Sequence, residues 1–137
     1  MSLRDQISGI IETEPVTLFM KGTPSFVACG NSQRALTALR SAGAPVTAVD
    51  ILPDPRFRQE LSSISGWPTI PQVSQELSSI SGWPTIPQVF VKGELVGGAD
   101  IVEELAANGE LERKLTDALG EGYRDEGAER VVALEAA

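Results

Sequence analysis

The sequence predicts an α/β fold in which helices and strands alternate. Short apolar runs, typical of buried strands, occupy residues 16–20 and 46–51. A segment with helical periodicity lies between them, from about Gly30 to a stop at Gly43. Two strands joined through a helix favour a parallel pair with a crossover. The length of 137 residues suits one domain with one hydrophobic core.

The first helix is predicted from its start signal and its periodicity. Ser2 with Asp5 forms a variant of the capping box, and Pro15 ends the helix. Its apolar residues fall on one face: Leu3, Ile7, Ile10 and Ile11. The stretch KGTPSFVACG, after the first strand, is predicted as a loop because Gly22 and Pro24 break regular structure.

The second half of the chain continues the alternation. Asp54 can cap a helix that has Pro55 at its first position. The runs QVFV and ELVGG are typical of two strands around a turn at Lys92–Gly93.

Two more helices and a tail complete the predicted order. Asp100 is expected to cap the helix IVEELAAN, which Gly109 ends, and ELERKLTDAL is a further amphipathic helix. Residues 120–137 are weakly patterned, so we expect a frayed or partly helical tail.

Charge and composition exclude several classes of function. The net charge is −8 and no basic cluster occurs, so a nucleic-acid partner is not expected. No apolar run reaches the length of a membrane span. The N-terminal segment lacks the basic and apolar regions of a signal peptide. We therefore expect a cytoplasmic protein without a membrane partner.

Cysteine and histidine usage limits the chemistry that the chain can perform alone. It has one cysteine, Cys29, and no histidine, so it forms no internal disulfide and offers one thiolate to any metal. Cys29 follows a loop and precedes a helix, where backbone N–H groups and the helix dipole favour a thiolate. Lys21, at the end of the preceding strand, can add positive charge. The alternative is a buried, inert cysteine at a helix start.

A segment of the chain is duplicated. QELSSISGWPTIPQV occupies residues 59–73 and again 75–89, with Ser74 between the copies. Solenoid proteins carry at least three diverged units, usually of about 20 residues or more. Two identical copies in an otherwise unrepeated domain therefore indicate a tandem duplication, unless the recorded sequence contains an error. The unit holds half a helix, a turn and the start of a strand, so it cannot fold alone.

Several separated motifs resemble the monothiol glutaredoxins of the Cys-Gly-Phe-Ser type. They lie in order within residues 1–119: LFMKGTPSFVACGNSQRAL, VDILPDPRFRQEL and WPTIPQVFVKGELVGGADIVEEL. The resemblance implies a thioredoxin-like fold, with a four-stranded mixed sheet flanked by helices on both faces. It makes residues 1–119 a glutaredoxin domain and leaves residues 120–137 as an acidic C-terminal tail.

The resemblance also implies a glutathione site beside the cysteine. Members of the family bind glutathione there, and two protomers can share a 2Fe-2S cluster, each giving one cysteine and one glutathione thiolate. Pro87 is then a cis proline. The implied site residues are Cys29 as redox thiol and cluster ligand, Lys21 for the glutathione thiolate or its glycine carboxylate, Arg58 for that carboxylate, Ile86 for backbone hydrogen bonds, and Ala99 and Asp100 for the γ-glutamyl group.

Each implied site residue also has a plainer interpretation. Lys21 and Arg58 are compatible with solvated surface charges, and Asp100 with a helix N-cap alone. Gly97–Gly98 is compatible with an ordinary turn. Their joint occurrence favours the binding site.

Two positions depart from the family pattern. The motif reads Cys29-Gly30-Asn31-Ser32, so Ser32 still replaces the resolving cysteine of a dithiol enzyme, while Asn31 removes an aromatic side chain near the cluster. We expect this change to affect cluster lifetime and partner packing rather than glutathione binding. Ala99 stands where many relatives have cysteine, which should leave the ligand set unchanged.

The flanks of the two copies predict which copy forms which element. Arg58 precedes the first copy, whereas Ser74 holds the matching position before the second. The second copy leads directly into the strand QVFV. We therefore expect the helix from the first copy, the cis-proline segment from the second, and an outward bulge near residues 66–81. The alternative is that residues 75–81 extend or replace the helix and displace Arg58.

The predicted function is that of an iron-sulfur carrier that binds glutathione and acts in cluster assembly and redox homeostasis. The resemblance implies a homodimer bridged by the cluster, with BolA-like proteins and iron-sulfur acceptor proteins as further partners. One alternative is a monothiol oxidoreductase, at most weakly active, that removes glutathione from mixed disulfides. Another is a remnant disabled by the duplication.

Overall fold

The computed structural model describes residues 2–65, 86–125 and 129–134, except for the side chains at positions 58, 62, 63, 65 and 125. The helices are α1 Leu3–Thr13, α2 Gly30–Ser41, α3 Pro55–Ser65, α4 Ala99–Ala107 and α5 Glu110–Leu119, followed by a 3₁₀ turn Tyr123–Asp125. The strands are β1 Val16–Met20, β2 Gly22–Thr23, β3 Phe26–Val27, β4 Val46–Asp50, β5 Gln88–Val91, β6 Glu94–Gly97 and β7 Arg130–Val132.

The described strands form a mixed sheet in the order β6-β5-β1-β4-β7, with β2 and β3 as a separate hairpin. β1 pairs parallel with β4, with Val16 opposite Val46 and Met20 opposite Asp50. β5 runs antiparallel to β1 and to β6. β1 is fully buried, as expected for a central strand covered on both faces. The predicted α/β class and the parallel crossover pair are confirmed.

Hydrophobic side chains fill both sides of the sheet. On one side, alternate residues of β1 pack with α2, α4 and α5, through Leu18, Leu36, Val102 and Leu115 among others. On the other side, Phe19 packs with α1 and α3, through Ile7, Phe57 and Leu61 among others. The period of two along β1 therefore sends successive side chains into two cores, one beneath each helical layer.

Local start and turn signals explain where several elements begin and end. The Ser2 hydroxyl accepts a hydrogen bond from the Asp5 N–H at 3.1 Å, which caps α1 as predicted. The turn between β5 and β6 has positive φ at Lys92 (47°) and Gly93 (86°). Positive φ at both central residues matches the twist of a tight hairpin.

The helix α4 starts differently from the prediction. Gly98, in an extended conformation, is its N-cap, and Asp100 lies inside the first turn without making a capping hydrogen bond. The expectation that Asp100 caps this helix is therefore wrong. The Gly98 carbonyl accepts the first helical hydrogen bond from the Val102 N–H at 3.0 Å, so a glycine with no side-chain acceptor begins the helix.

The tail also differs from the prediction, because its described residues are integrated into the sheet. Arg130–Val132 pair in parallel with Thr47–Val49, so β7 makes the predicted four-stranded sheet five-stranded. Tyr123 is buried, and its hydroxyl donates a 2.7 Å hydrogen bond to the Ala42 carbonyl at the end of α2. The expectation of a frayed or partly helical tail is wrong for Arg130–Val132, whereas the 3₁₀ turn Tyr123–Asp125 agrees with partial helicity.

Charged side chains hold the tail strand in place. Arg40 on α2 donates two hydrogen bonds to the Glu129 carboxylate, and these hold the pKa of Glu129 below its usual range. Arg130 donates to Glu14, beyond the end of α1, at 3.0 Å. The strand is thus tied to elements on both faces of the sheet.

The two copies of the repeat form different elements. α3 comes from Pro55 and the first copy, and it contains Arg58. The second copy leads into β5 through a cis Ile86–Pro87 bond. The prediction that the first copy forms the helix and the second copy forms the cis-proline segment is confirmed at these two ends. The alternative, in which Arg58 is displaced from the helix, is wrong. The predicted bulge at residues 66–81 lies outside the described residues.

Deletion of residues 66–81 is expected to raise the free energy of unfolding by about 1–2 kcal/mol, because a shorter connection costs less loop-closure entropy. It joins Ser65 to Gly82 and restores one copy of the repeat. Denaturant melts of both chains measure the change. A deletion that unfolds the protein would contradict the division of the copies described above.

Candidate functional site

The described elements bring Cys29 and the cis proline to the same edge of the sheet. The parallel strands β1 and β4 both end there, at Met20 and Asp50. β5 is antiparallel to β1, and Gln88 lies opposite Phe19, so Pro87 precedes β5 at that edge. Cys29 is the N-cap of α2, which returns from it across the sheet.

The loop before Cys29 is held by hydrogen bonds at Lys21. Its N–H donates to the Ser32 hydroxyl at 3.0 Å, and its carbonyl accepts from the Ala28 N–H at 2.9 Å. Ser32 is fully buried in the first turn of α2. The two bonds tie the chain before and after Cys29 to the same residue, so the thiol sits on a fixed backbone.

A carboxylate and a glycine complete this loop. Asp50 accepts hydrogen bonds from the N–H groups of Gly22 and Leu52, both at 2.9 Å, so it joins the ends of β1 and β4. Gly22 has φ +97°, and a Cβ there would overlap the carbonyl oxygen of Phe26. Only glycine suits this position of the β2–β3 hairpin.

Cys29 is half-buried, and its pKa lies below the usual value. Partial burial is the largest single influence and opposes ionisation. The backbone N–H groups of Ser32 and Asn31, the positive charge of Lys21 and the Ser32 hydroxyl together outweigh it. The thiolate is thus stabilised by the start of a helix and a nearby cation, as the sequence predicts.

The cis-proline segment and the start of α4 approach each other closely. Ile86 is buried. A Cβ on Gly98 would come within 3.3 Å of the Pro87 carbonyl oxygen. Ala99, the first residue of α4, is buried beside them. Backbone groups of Ile86 and Ala99 therefore lie at the edge of the sheet to which β1 and β4 bring Cys29.

Asp100 is exposed and already paired. Its carboxylate accepts a 2.6 Å hydrogen bond from Arg34 on α2, while 89% of the Asp100 side chain remains exposed. Arg34 also donates to Glu103 on α4 and, at 3.1 Å, to the Asn31 side chain. These hydrogen bonds raise the pKa of Arg34 and lower that of Glu103. Asn31 thus takes part in a bridge between the starts of two helices.

The remaining predicted cation, Arg58, lies in α3, and its side chain is outside the described part of the structure. The sequence reasoning missed Asp50 and Arg34, and it saw in Ser32 only a missing thiol. Asp50 lies next to the end of the strand predicted at residues 46–51, which indicated a position near the edge of the sheet. No signal in the sequence could have indicated the contact between Arg34 and Asp100, because the two residues lie on separate helices.

Metal donors do not cluster in the part of the chain that the structure describes. No group of three or more cysteine, aspartate or glutamate residues there could hold a metal ion.

Within the same described residues, no helix is both long and apolar enough to cross a membrane.

A family model described as Glutaredoxin matches residues 16–74 and 73–96, which together are more than half of the chain. The chain belongs to the glutaredoxin family. The match is split where the two copies of the repeat join, so the duplication interrupts a continuous glutaredoxin domain.

Curated relatives place this glutaredoxin in the monothiol branch. It is 47% identical over 72 residues to monothiol glutaredoxin-S11 of Oryza sativa subsp. japonica, covering 53% of this chain but 15% of that protein. It is 42% identical over 73 residues to glutaredoxin 4 of Haemophilus ducreyi, covering 53% of this chain and 68% of that protein. The chain thus spans a small part of the rice protein and about two thirds of the bacterial one.

A solved structure confirms the fold of the glutaredoxin. The solution structure of reduced poplar apo GrxS14 is 34% identical, with a TM-score of 0.65, and the match covers 86% of this chain and 94% of that one. The thioredoxin-like fold implied by the motifs is confirmed.

Ser32→Ala is expected to raise the pKa of Cys29, because it removes a hydroxyl that stabilises the thiolate and loosens the Lys21 backbone. The part-buried Lys21 N–H loses its acceptor, which should cost about 1 kcal/mol of stability. The pH dependence of thiol alkylation measures the pKa of Cys29. Ser41→Ala is the control, since that hydroxyl bonds Ala38 at the far end of α2. An unchanged alkylation profile in Ser32→Ala would contradict this role.

Proposed function

We propose that this monothiol glutaredoxin binds glutathione beside Cys29 and carries a 2Fe-2S cluster between two protomers. The observation that carries the proposal is a single half-buried thiol with a lowered pKa, placed where Lys21, the cis-proline segment and the start of α4 meet. The motifs that resemble the family occupy these positions.

The donor set of the chain supports a shared cluster. A 2Fe-2S cluster takes four thiolate or equivalent ligands, and this chain has one cysteine and no histidine. One thiolate from each protomer and one from each of two glutathione molecules complete the set. The cluster is then cargo, and its iron–sulfur unit is what an acceptor protein receives.

The residues of the chain would bind glutathione in three parts. Lys21 supplies positive charge for the glutathione thiolate, and Arg58 for the glycine carboxylate. The backbone at Ile86 supplies hydrogen bonds for the cysteinyl part. Ala99 and Asp100 take the γ-glutamyl group, through an N–H at the start of α4 and a carboxylate.

Anaerobic reconstitution with iron and sulfide, with and without glutathione, tests the proposal. We expect cluster absorbance only with glutathione, in a species that elutes as a dimer, together with amide shifts at the Cys29 edge when glutathione is titrated into the apoprotein. A cluster that forms equally well without glutathione, or in a monomer, would overturn the shared arrangement.

The lowered pKa of Cys29 favours a second candidate, a glutathione-dependent oxidoreductase. The Cys29 thiolate attacks the glutathione sulfur of a mixed disulfide, whose S–S bond breaks and releases the substrate thiolate. A second glutathione then attacks the Cys29–glutathione disulfide, which frees Cys29 and yields oxidised glutathione. Turnover of a glutathionylated peptide without any cluster supports this candidate. Neither turnover nor cluster would support a remnant disabled by the duplication.

Partners and compartment are part of the same proposal. The homodimer bridged by the cluster, transfer to iron-sulfur acceptor proteins, pairing with a BolA-like protein and the cytoplasmic location stay predictions. A pull-down with the reconstituted protein, compared with its apo form, tests for partners that depend on the cluster.

A further inference from the structure

A groove lies between the outer strand β6 and the helix α5, away from Cys29. It is a cavity of about 390 Å³, lined by Val91, residues 94–96 and, on α5, Lys114, Asp117 and Ala118. Val91 pairs with Val16 at the start of β1, whereas the Cys29 edge is where β1 ends. The groove is therefore separate from the site described above.

The strand β6 forms one wall of the groove and ends the sheet. Among the described strands it pairs with β5 alone. The open edge of a strand presents backbone N–H and C=O groups with which an extended peptide can pair. Val96 packs into the core beneath α5, and side chains alternate along a strand, so Glu94 faces α5 as well. A peptide paired with β6 would turn every second side chain toward the groove.

The charged side chains of the groove are available to a ligand. Glu94, Lys114 and Asp117 are exposed, and none of them forms an ion pair with another residue that the structure describes. The neighbouring residues Glu110 and Arg113 on the same helix differ, because they pair with each other at 3.3 Å.

The charges are divided between the two ends of the groove. The Lys92 ammonium donates to the Ala118 carbonyl at 3.3 Å, which brings the turn between β5 and β6 to the C-terminal end of α5. Glu94 and Asp117 lie at that end, where the helix dipole is also negative. Even with the positive charge of Lys92, this end has one negative charge in excess. Lys114 lies about one turn earlier in α5 and forms a basic end farther from the turn.

The two ends match the spacing of alternate side chains on a strand. Lys114 and Asp117 are about 4.5 Å apart along the helix axis. Side chains two residues apart on a strand are separated by about 6.6 Å, a difference that long charged side chains can span. Antiparallel pairing is slightly more stable than parallel pairing, and it runs from the basic end of the groove to the acidic end.

We propose that the groove binds an extended peptide of a partner protein, which adds to the sheet antiparallel to β6. The peptide carries an acidic side chain for Lys114 and, two residues later, a basic side chain for Glu94 and Asp117. The apolar stem of that basic side chain would lie along Val96 and Ala118. This role does not depend on the proposed glutathione function.

The experiment titrates two peptides, acetylated and amidated at their ends, into the apoprotein at low salt, with amide chemical shifts as the readout. One is Thr-Thr-Glu-Val-Arg-Thr-Thr, and the other exchanges its two charges, Thr-Thr-Arg-Val-Glu-Thr-Thr. We expect shifts at the amides of β6, and about fivefold tighter binding of the first peptide, the effect of two exposed charge pairs.

A variant with the charges of the groove exchanged, Lys114→Glu with Asp117→Lys, should lose or reverse this preference at the same net charge. The matched control is Glu110→Arg with Arg113→Glu, an exchange at the same spacing on the same helix but outside the groove lining. It should keep the preference. Thermal melts show that each variant is folded. If the exchange at Lys114 and Asp117 unfolds the protein, Lys114→Gln and Asp117→Asn, tested singly, should each reduce the preference.

Several results would overturn the proposal. Equal affinity for the two peptides, or a preference that survives the exchange at Lys114 and Asp117, would show that the charges of the groove do not select the peptide. The absence of shifts at β6 with either peptide would show that the edge does not accept a strand. Shifts at β6 that depend on protein concentration without peptide would show that a second copy of this chain fills the groove instead.

Discussion

A chain that ends at Gly120 is expected to lose about 3–5 kcal/mol of unfolding free energy, the cost typical of removing a buried aromatic side chain. The truncation removes Tyr123, which is buried against α2 and bonded to Ala42. It also removes β7 and so exposes the backbone edge of β4. Denaturant melts measure the stability, and light scattering measures the association that an open strand edge invites.

Two further variants divide this effect between the ring and the strand. Tyr123→Phe keeps the ring and should cost about 1 kcal/mol, the net value of one hydrogen bond. A chain that ends at Asp125 keeps Tyr123 and lacks β7, so it should stay nearer to the full chain in stability but still associate. If the chain ending at Gly120 melts like the full chain, the tail contributes nothing to the fold.

Cys29→Ser is expected to abolish cluster binding and all thiol chemistry, because Cys29 is the only thiol of the chain. The fold should survive, since Cys29 occupies the N-cap position of α2 without a side-chain capping hydrogen bond, and serine is a preferred N-cap residue. We expect the free energy of unfolding to stay the same or to rise by up to about 1 kcal/mol. Cluster absorbance after reconstitution and the melting curve are the two measurements.

The matched control for this variant is Ser41→Ala, which changes a hydroxyl on the same helix far from the thiol. It should keep normal cluster absorbance. A cluster of normal absorbance and lifetime in Cys29→Ser would show that the ligand lies elsewhere, and the assignment of Cys29 would then be wrong.

Local signals made much of the fold predictable. The capping hydroxyl of Ser2, the apolar run of β1 and the positive-φ turn at Lys92–Gly93 act within a few residues, so the sequence displays them directly. Cys29 was predictable for the same reason, because a thiol between a loop and a helix is visible without any tertiary contact. Of the whole site, the thiol and its environment were therefore the easiest to predict from the sequence.

Contacts between distant segments were not predictable. β7 has three residues and is defined by its pairing with β4, more than 80 positions earlier in the chain. The hydrogen bonds from Arg34 to Asp100 and Glu103 join two helices through exposed charges that, taken singly, resemble an ordinary solvated surface. Asp100 was misplaced as a cap because aspartate is a preferred N-cap residue, whereas Gly98 begins the helix here.

The position of the duplication has a practical consequence. α3 is anchored by Phe57 and Leu61, and β5 by Val89 and Phe90, so the two ends of the connection are fixed by separate packing contacts. Closing a longer connection costs little additional entropy. The junction between the copies is therefore suited to accepting a fluorescent reporter domain.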